Sequence, residues 1–119
     1  MQDEYTNYAA GDVLPQTLEA FRNRACTLPY SNQHYESPSA EEVSQLIKLA
    51  GWSQNDCAKI TGVSYNAKKG SSTVRRWKTS SPKDHRDIPY SAWRLLLLHA
   101  DIVMIDDANK ELSFYKNLR

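Results

Sequence analysis

The sequence predicts an all-α fold, a compact bundle of about five helices built around one core. Three observations carry that expectation. Apolar residues recur at three- and four-residue steps in several separate stretches. Serines or prolines stand where those stretches begin, and glycines stand where two of them end. Strand-like alternation is confined to a weak "ELSFY" near the C-terminus, read as either a short strand or an irregular tail. A chain of 119 residues holds one modest core, not two.

The elements follow in order. In "LPQTLEAFRNRACTL", Leu14, Leu18, Phe21 and Ala25 make one apolar stripe, and Pro15 suits a first helical position, so a helix is expected over about 15–25. "PYSNQHYESPS" is rich in turn formers and reads as a connector. Ser39 with Glu42 three residues on is a capping box. Val43, Leu46, Ile47 and Ala50 form the stripe of the helix it opens, and Gly51 stops it. Ser53 caps another helix that turns Cys57, Ala58 and Ile60 inward and ends at Gly62. Ser71 or Ser72 caps a third, in which Val74 and Trp77 lie three apart and face the core. The last begins near Pro89, with Trp93, Leu96, Leu97 and Ala100 on its apolar face. These elements divide the chain into an N-terminal extension (1–36) with one helix, a central domain (37–103) and a C-terminal tail (104–119).

Charge is placed unevenly. The net charge is only +1, but residues 61–99 carry eight Lys and Arg against two Asp, a local +6, while residues 1–36 carry −3. A basic patch on a nearly neutral protein suits a phosphate-bearing partner. No apolar run reaches the roughly 18 residues of a membrane span. The acidic start "MQDEYTNYAAGDV" has no export-signal pattern, so a cytoplasmic location is expected, with Cys26 and Cys57 as buried thiols. Enzyme chemistry is not expected. His34, His85 and His99 are scattered without metal-ligand spacing, and the four glycines are isolated. No cofactor or metal is expected.

"GSSTVRRWK" is the stretch with the clearest chemistry. Arg75 and Arg76 carry planar forks suited to guanine O6 and N7, each good pair being worth roughly 1–3 kcal/mol of discrimination. Ser71, Ser72 and Thr73 are short enough for close approach to a duplex, and Arg76 and Thr79 lie opposite the core side of the wheel. Gln54 is placed to hold a phosphate. Lys68, Lys69 and Lys78 add salt-sensitive attraction.

Taken together, "WSQNDCAKITGVS", "SSTVRRWK" and "IPYSAWRLLLL" resemble the helix-turn-helix of Cro/repressor (XRE-type) transcriptional regulators, over about residues 39–103. The matching residues are Gln54 opening the second helix, Ala58 at the crossing, Gly62, Val63 and Ser64 in the turn, and Thr73, Val74 and Trp77 on the recognition helix. One departure is an insert of about six residues, "YNAKKG", before the recognition helix. It is either a loop or an extension of that helix, and Gly70 followed by two serines favours the loop. The resemblance implies a sequence-specific regulator of double-stranded DNA, a repressor in the first instance, acting as a homodimer on a pseudo-palindromic site. Compact regulators of this kind are frequent on mobile genetic elements. The pairing surface would be the last helix with "DIVMI", the tail, or the N-terminal segment. A rival reading is an antitoxin-like or inhibitory module whose residues 1–36, with Tyr5, Tyr8, Tyr30 and Tyr35, bind a protein partner.

Overall fold

The computed structural model describes residues 13–105. The expectations for residues 1–12, and for the strand or tail after residue 105, lie outside that range. Among these residues four α-helices form the bundle: α1 (Ala40–Ala50), α2 (Gln54–Thr61), α3 (Ser72–Lys78) and α4 (Tyr90–His99).

Local chemistry sets their ends. At α1 the Ser39 hydroxyl accepts from the Glu42 N–H at 3.1 Å, and Glu42 Oε1 accepts from the Ser39 N–H at 2.8 Å. The same reciprocal box opens α2 with Ser53 and Asp56, at 3.0 and 2.9 Å. Those Ser53 hydrogen bonds hold the Asp56 carboxyl below its ordinary range. Such caps satisfy N–H groups that a helix leaves unpaired. Both helices end on a glycine in the left-handed region, Gly51 (φ 75°) and Gly62 (φ 84°).

Helix α1 packs on α3, and α2 packs on both α3 and α4. Their inner faces supply Val43, Leu46 and Ile47, Cys57 and Ala58, Val74 and Trp77, and Ala92, Trp93, Leu96 and Leu97 to one core. Full burial of a Leu or Val side chain contributes about 1.5–3 kcal/mol. Ala58 is the small residue of α2 in this core, and a larger side chain would have to displace its neighbours. Both cysteines are free and buried. Burial, and then the nearby Glu42 carboxylate, pushes the Cys26 thiol well up; burial pushes Cys57 up to about 11.

The expected helix over 15–25 is not a continuous α-helix. Two short 3-10 turns, Glu19–Asn23 and Ala25–Thr27, take its place, separated by Arg24 in an extended conformation (φ −105°, ψ 150°). The reason is tertiary. The Arg24 guanidinium pairs with the Glu42 carboxylate at 2.6 Å, both largely buried. The Cys26 carbonyl accepts from Trp93 Nε1 at 2.8 Å, and the Thr27 carbonyl from Arg94 Nη1 at 3.0 Å. The Arg24 pair, with its Nη1 bond to the Val13 carbonyl at 3.0 Å, holds Arg24 off the helical path, and the other two bonds pin the chain just past the expected helix end. Phe21 and Ala25 are still buried, as their spacing suggested, and Cys26 joins Phe21 in the core. The segment is strapped down further by Arg22, which donates to the Asp101 carbonyl at 2.7 Å, and by Gln45, which donates to the Pro15 carbonyl at 2.7 Å.

Candidate nucleic-acid interface

The route from α2 to α3 decides how α3 is presented. After Gly62 the chain makes a small closed loop, in which Asn66 and Gly70 exchange both backbone hydrogen bonds, at 2.8 and 2.9 Å. Inside it the Asn66 side-chain oxygen accepts from the Lys68 and Lys69 N–H groups at 2.9 and 3.0 Å. The insert is therefore a loop, not an extension of α3. Lys68 and Lys69 stand exposed at its tip.

The loop is tied to the start of α2. Gln54 Oε1 accepts from the Ser71 N–H at 3.0 Å, and Asn55 Nδ2 donates to the Asn66 carbonyl at 3.2 Å. Gly70 (φ 87°) passes so close to Gln54 that a Cβ there would collide with the Gln54 amide oxygen. The Ser71 hydroxyl donates to the Ser64 carbonyl at 2.8 Å and accepts from the Val74 N–H at 3.2 Å. Ser71, not Ser72, is thus the cap of α3.

Val74 and Trp77 are buried and fix the inner face of α3, which turns the opposite face outward. Ser72, Arg75 and Arg76 are exposed, and Thr73, Lys78 and Thr79 are half-buried. Ser71 is fully buried, so its side chain is a structural cap and cannot reach a duplex, a correction to its place among the candidate contacts. Gln54 is half-buried with its oxygen committed to Ser71, and only its NH2 group remains to meet a phosphate.

Beyond α3 the chain folds back along it. The Arg86 N–H donates to the Arg76 carbonyl at 3.1 Å. The His85 ring bridges the Thr79 carbonyl (Nδ1, 2.8 Å) and the Asp87 carboxylate (Nε2, 2.7 Å). The Asp87 hydrogen bond raises the His85 pKa, the Thr79 contact adding to it. The result is a concave site of about 240 Å³ lined by Arg75, Arg76, Thr79 and Asp84. Three of these four residues are among the expected contacts. Asp84 is not, because nothing in "KTSSPKDHRD" signals that the connector returns to α3.

A separate feature lies at the start of α4. Tyr30, Tyr35 and Tyr90 form a triangle with ring centroids 5.1–5.6 Å apart, and the Tyr90 hydroxyl accepts from the Tyr30 N–H at 3.2 Å. Tyr30 remains 68% exposed, far more than a core tyrosine.

The chain is 36% identical over 73 residues to a transcriptional repressor protein KorC of Escherichia coli, a match that spans 61% of this chain and 78% of that protein. The chain belongs to the KorC family of transcriptional repressors. A further Escherichia coli KorC repressor is 35% identical over 65 residues, covering 54% of this chain and 67% of its own length. No family model and no solved structure matches the chain.

For a KorC-family chain, the arrangement on α3 is chemically direct. Two guanidinium groups and a threonine surround a recess on the outer side of a helix whose inner side is locked by Val74 and Trp77. Among the described residues, no cluster of His, Cys, Asp or Glu could hold a metal, and no helix is long and apolar enough to cross a membrane.

Proposed function

We propose that the protein is a repressor that reads double-stranded DNA in the major groove with α3, in the manner of a Cro/repressor (XRE-type) helix-turn-helix. The observation that carries this reading is the pairing of exposed Arg75 and Arg76 with the buried Val74 and Trp77 on one seven-residue helix. An α-helix fits the major groove, and Arg forks match guanine there. Arg75, Arg76, Thr73 and Thr79 are the base-reading candidates. Gln54 through its NH2, Lys68, Lys69, Ser72 and Lys78 are the phosphate contacts that position them.

One such helix reads few base pairs, so two copies on a pseudo-palindromic operator, with half-sites about one helical turn apart, complete the account. Leu95, Met104 and Ile105 are apolar and exposed near the end of the described chain, and they are the proposed homodimer contact. Repression then needs only occupancy of the operator, in the cytoplasm where the DNA lies.

The tyrosine triangle, with Tyr30 exposed, favours a second role, contact with a protein partner through the N-terminal segment. Because Phe21 belongs to the core, the test of that role is Tyr30→Ala rather than truncation. For the DNA reading, the test is enrichment of a random-sequence duplex pool by the purified protein at near-physiological salt. A two-fold-symmetric motif is the expected outcome. Retention that vanishes as salt rises, with no motif, would reduce the basic stretch to a non-specific patch.

A further inference from the structure

We infer that Asp84 is a specificity-determining residue that, together with Arg75 or Arg76, selects a G·C pair by accepting a hydrogen bond from the cytosine N4 amino group. The inference rests on the major-groove reading of α3 given above and extends it to a residue outside the helix.

The lining of the recess is mixed. It offers two guanidinium groups, one hydroxyl and one carboxylate. A recess for phosphate alone would gain nothing from a carboxylate, which repels the anion it faces. A carboxylate whose task was to neutralise the arginines would pair with them, yet none of the ion pairs among the described residues joins Asp84 to Arg75 or Arg76. Asp84 is exposed at the rim with an acceptor to offer.

The edge that matches such a lining is specific. In the major groove a G·C pair shows two adjacent acceptors, guanine N7 and O6, followed by the cytosine N4–H donor. An Arg fork takes the two acceptors, and a carboxylate takes the donor beside them. An A·T pair places its donor between two acceptors and cannot satisfy both groups in that order.

The recess is also held in shape before any duplex arrives. The Asp84 N–H donates to the Ser81 carbonyl at 3.0 Å, the Arg86 N–H to the Arg76 carbonyl at 3.1 Å, and His85 is fixed between Thr79 and Asp87. Fixed backbone on both sides of Asp84 lowers the ordering cost of a side-chain contact.

The test enriches one random-sequence duplex pool with the wild-type protein, with Asp84→Ala and with Asp84→Asn. It then measures each protein on the wild-type site with the chosen cytosine unmodified or N4-methylated, which replaces the hydrogen pointing into the major groove. The wild type should fix a G·C pair at one position of each half-site, and N4-methylation should weaken it roughly ten-fold or more. Asp84→Ala should accept other pairs at that position and bind both duplexes equally, and Asp84→Asn should lose discrimination in the same direction. Melting curves of the variants confirm that they fold. An unchanged motif from Asp84→Ala overturns the role of Asp84 and leaves the α3 reading standing. So does tighter binding to every sequence without a change of motif, which would make Asp84 a purely electrostatic brake. Failure of the wild type to enrich any motif overturns both together.

Discussion

Gln54, the first residue of α2, accepts a hydrogen bond from the backbone N–H of Ser71, the cap of α3, at 3.0 Å. The start of one helix is thereby tied to the start of the next across the inserted loop, in addition to the hold of Val74 and Trp77 on the inner face of α3. Two substitutions separate this structural role from phosphate contact. Gln54→Glu keeps the acceptor, so stability should hold while duplex affinity falls, because a negative charge now faces phosphate. Gln54→Ala should lose about 1 kcal/mol of stability as well. Gly70→Ala should go further, about 1–2 kcal/mol for the left-handed backbone plus the collision with Gln54. Thermal melts paired with duplex titrations check all three, at about 4–8 °C per kcal/mol for a domain of this size. An unchanged melt for Gly70→Ala would contradict this tie.

Lys68 and Lys69 stand exposed at the tip of the loop, and their backbone is fixed by the Asn66 side chain. As phosphate contacts they carry no sequence information. Each Lys→Ala change should weaken specific and non-specific duplexes alike and reduce the slope of log affinity against log salt by about 1. A change in the preferred sequence instead would place these lysines among the base readers.

The recess beside α3 should feel pH through His85. Its folded pKa is raised above the ordinary 6.5, first by the hydrogen bond to Asp87. A histidine with a raised folded pKa stabilises the fold in its charged form. That contribution is complete below pH 6.5 and is lost as pH rises through the higher folded value. An NMR titration of the His85 ring should give a midpoint above 6.5, and Asp87→Asn should lower it. A wild-type midpoint at or below 6.5 would remove the Asp87 clamp from the account.

How far these features were legible in the sequence depends on whether their causes are local. The boxes of Ser39 with Glu42 and Ser53 with Asp56 each span four residues, so the starts of α1 and α2 could be read directly. The inner faces of α3 and α4 were equally readable, since Val74, Trp77, Trp93 and Leu97 declare themselves by helical spacing. The N-terminal helix failed because Glu42, eighteen residues from the Arg24 it draws off the helical path, and the side chains of Trp93 and Arg94, more than sixty residues away, hold the segment instead. The latter two claim the carbonyls of Cys26 and Thr27, and no local pattern announces any of the three. Asp84 was missed for the same reason, as was the burial of Ser71, whose hydroxyl finds its acceptor at Ser64 only once the loop has closed. On the candidate site, residue types could be named from the sequence, whereas the recess needed the return of residues 79–87 along α3.

The central claim is that Arg75 and Arg76, held outward by Val74 and Trp77, read base edges. Its most direct test is the affinity of the wild type and of the Arg75→Ala/Arg76→Ala double variant for the enriched duplex and for a scrambled duplex of equal length, at one near-physiological salt concentration. The wild type should prefer its site by about a thousand-fold or more. The double variant should keep its melting temperature, since both side chains are exposed, and lose most of that preference while retaining weak, salt-sensitive binding to both duplexes. A double variant that still distinguishes the two duplexes as well as the wild type does would contradict the account and move sequence reading away from α3.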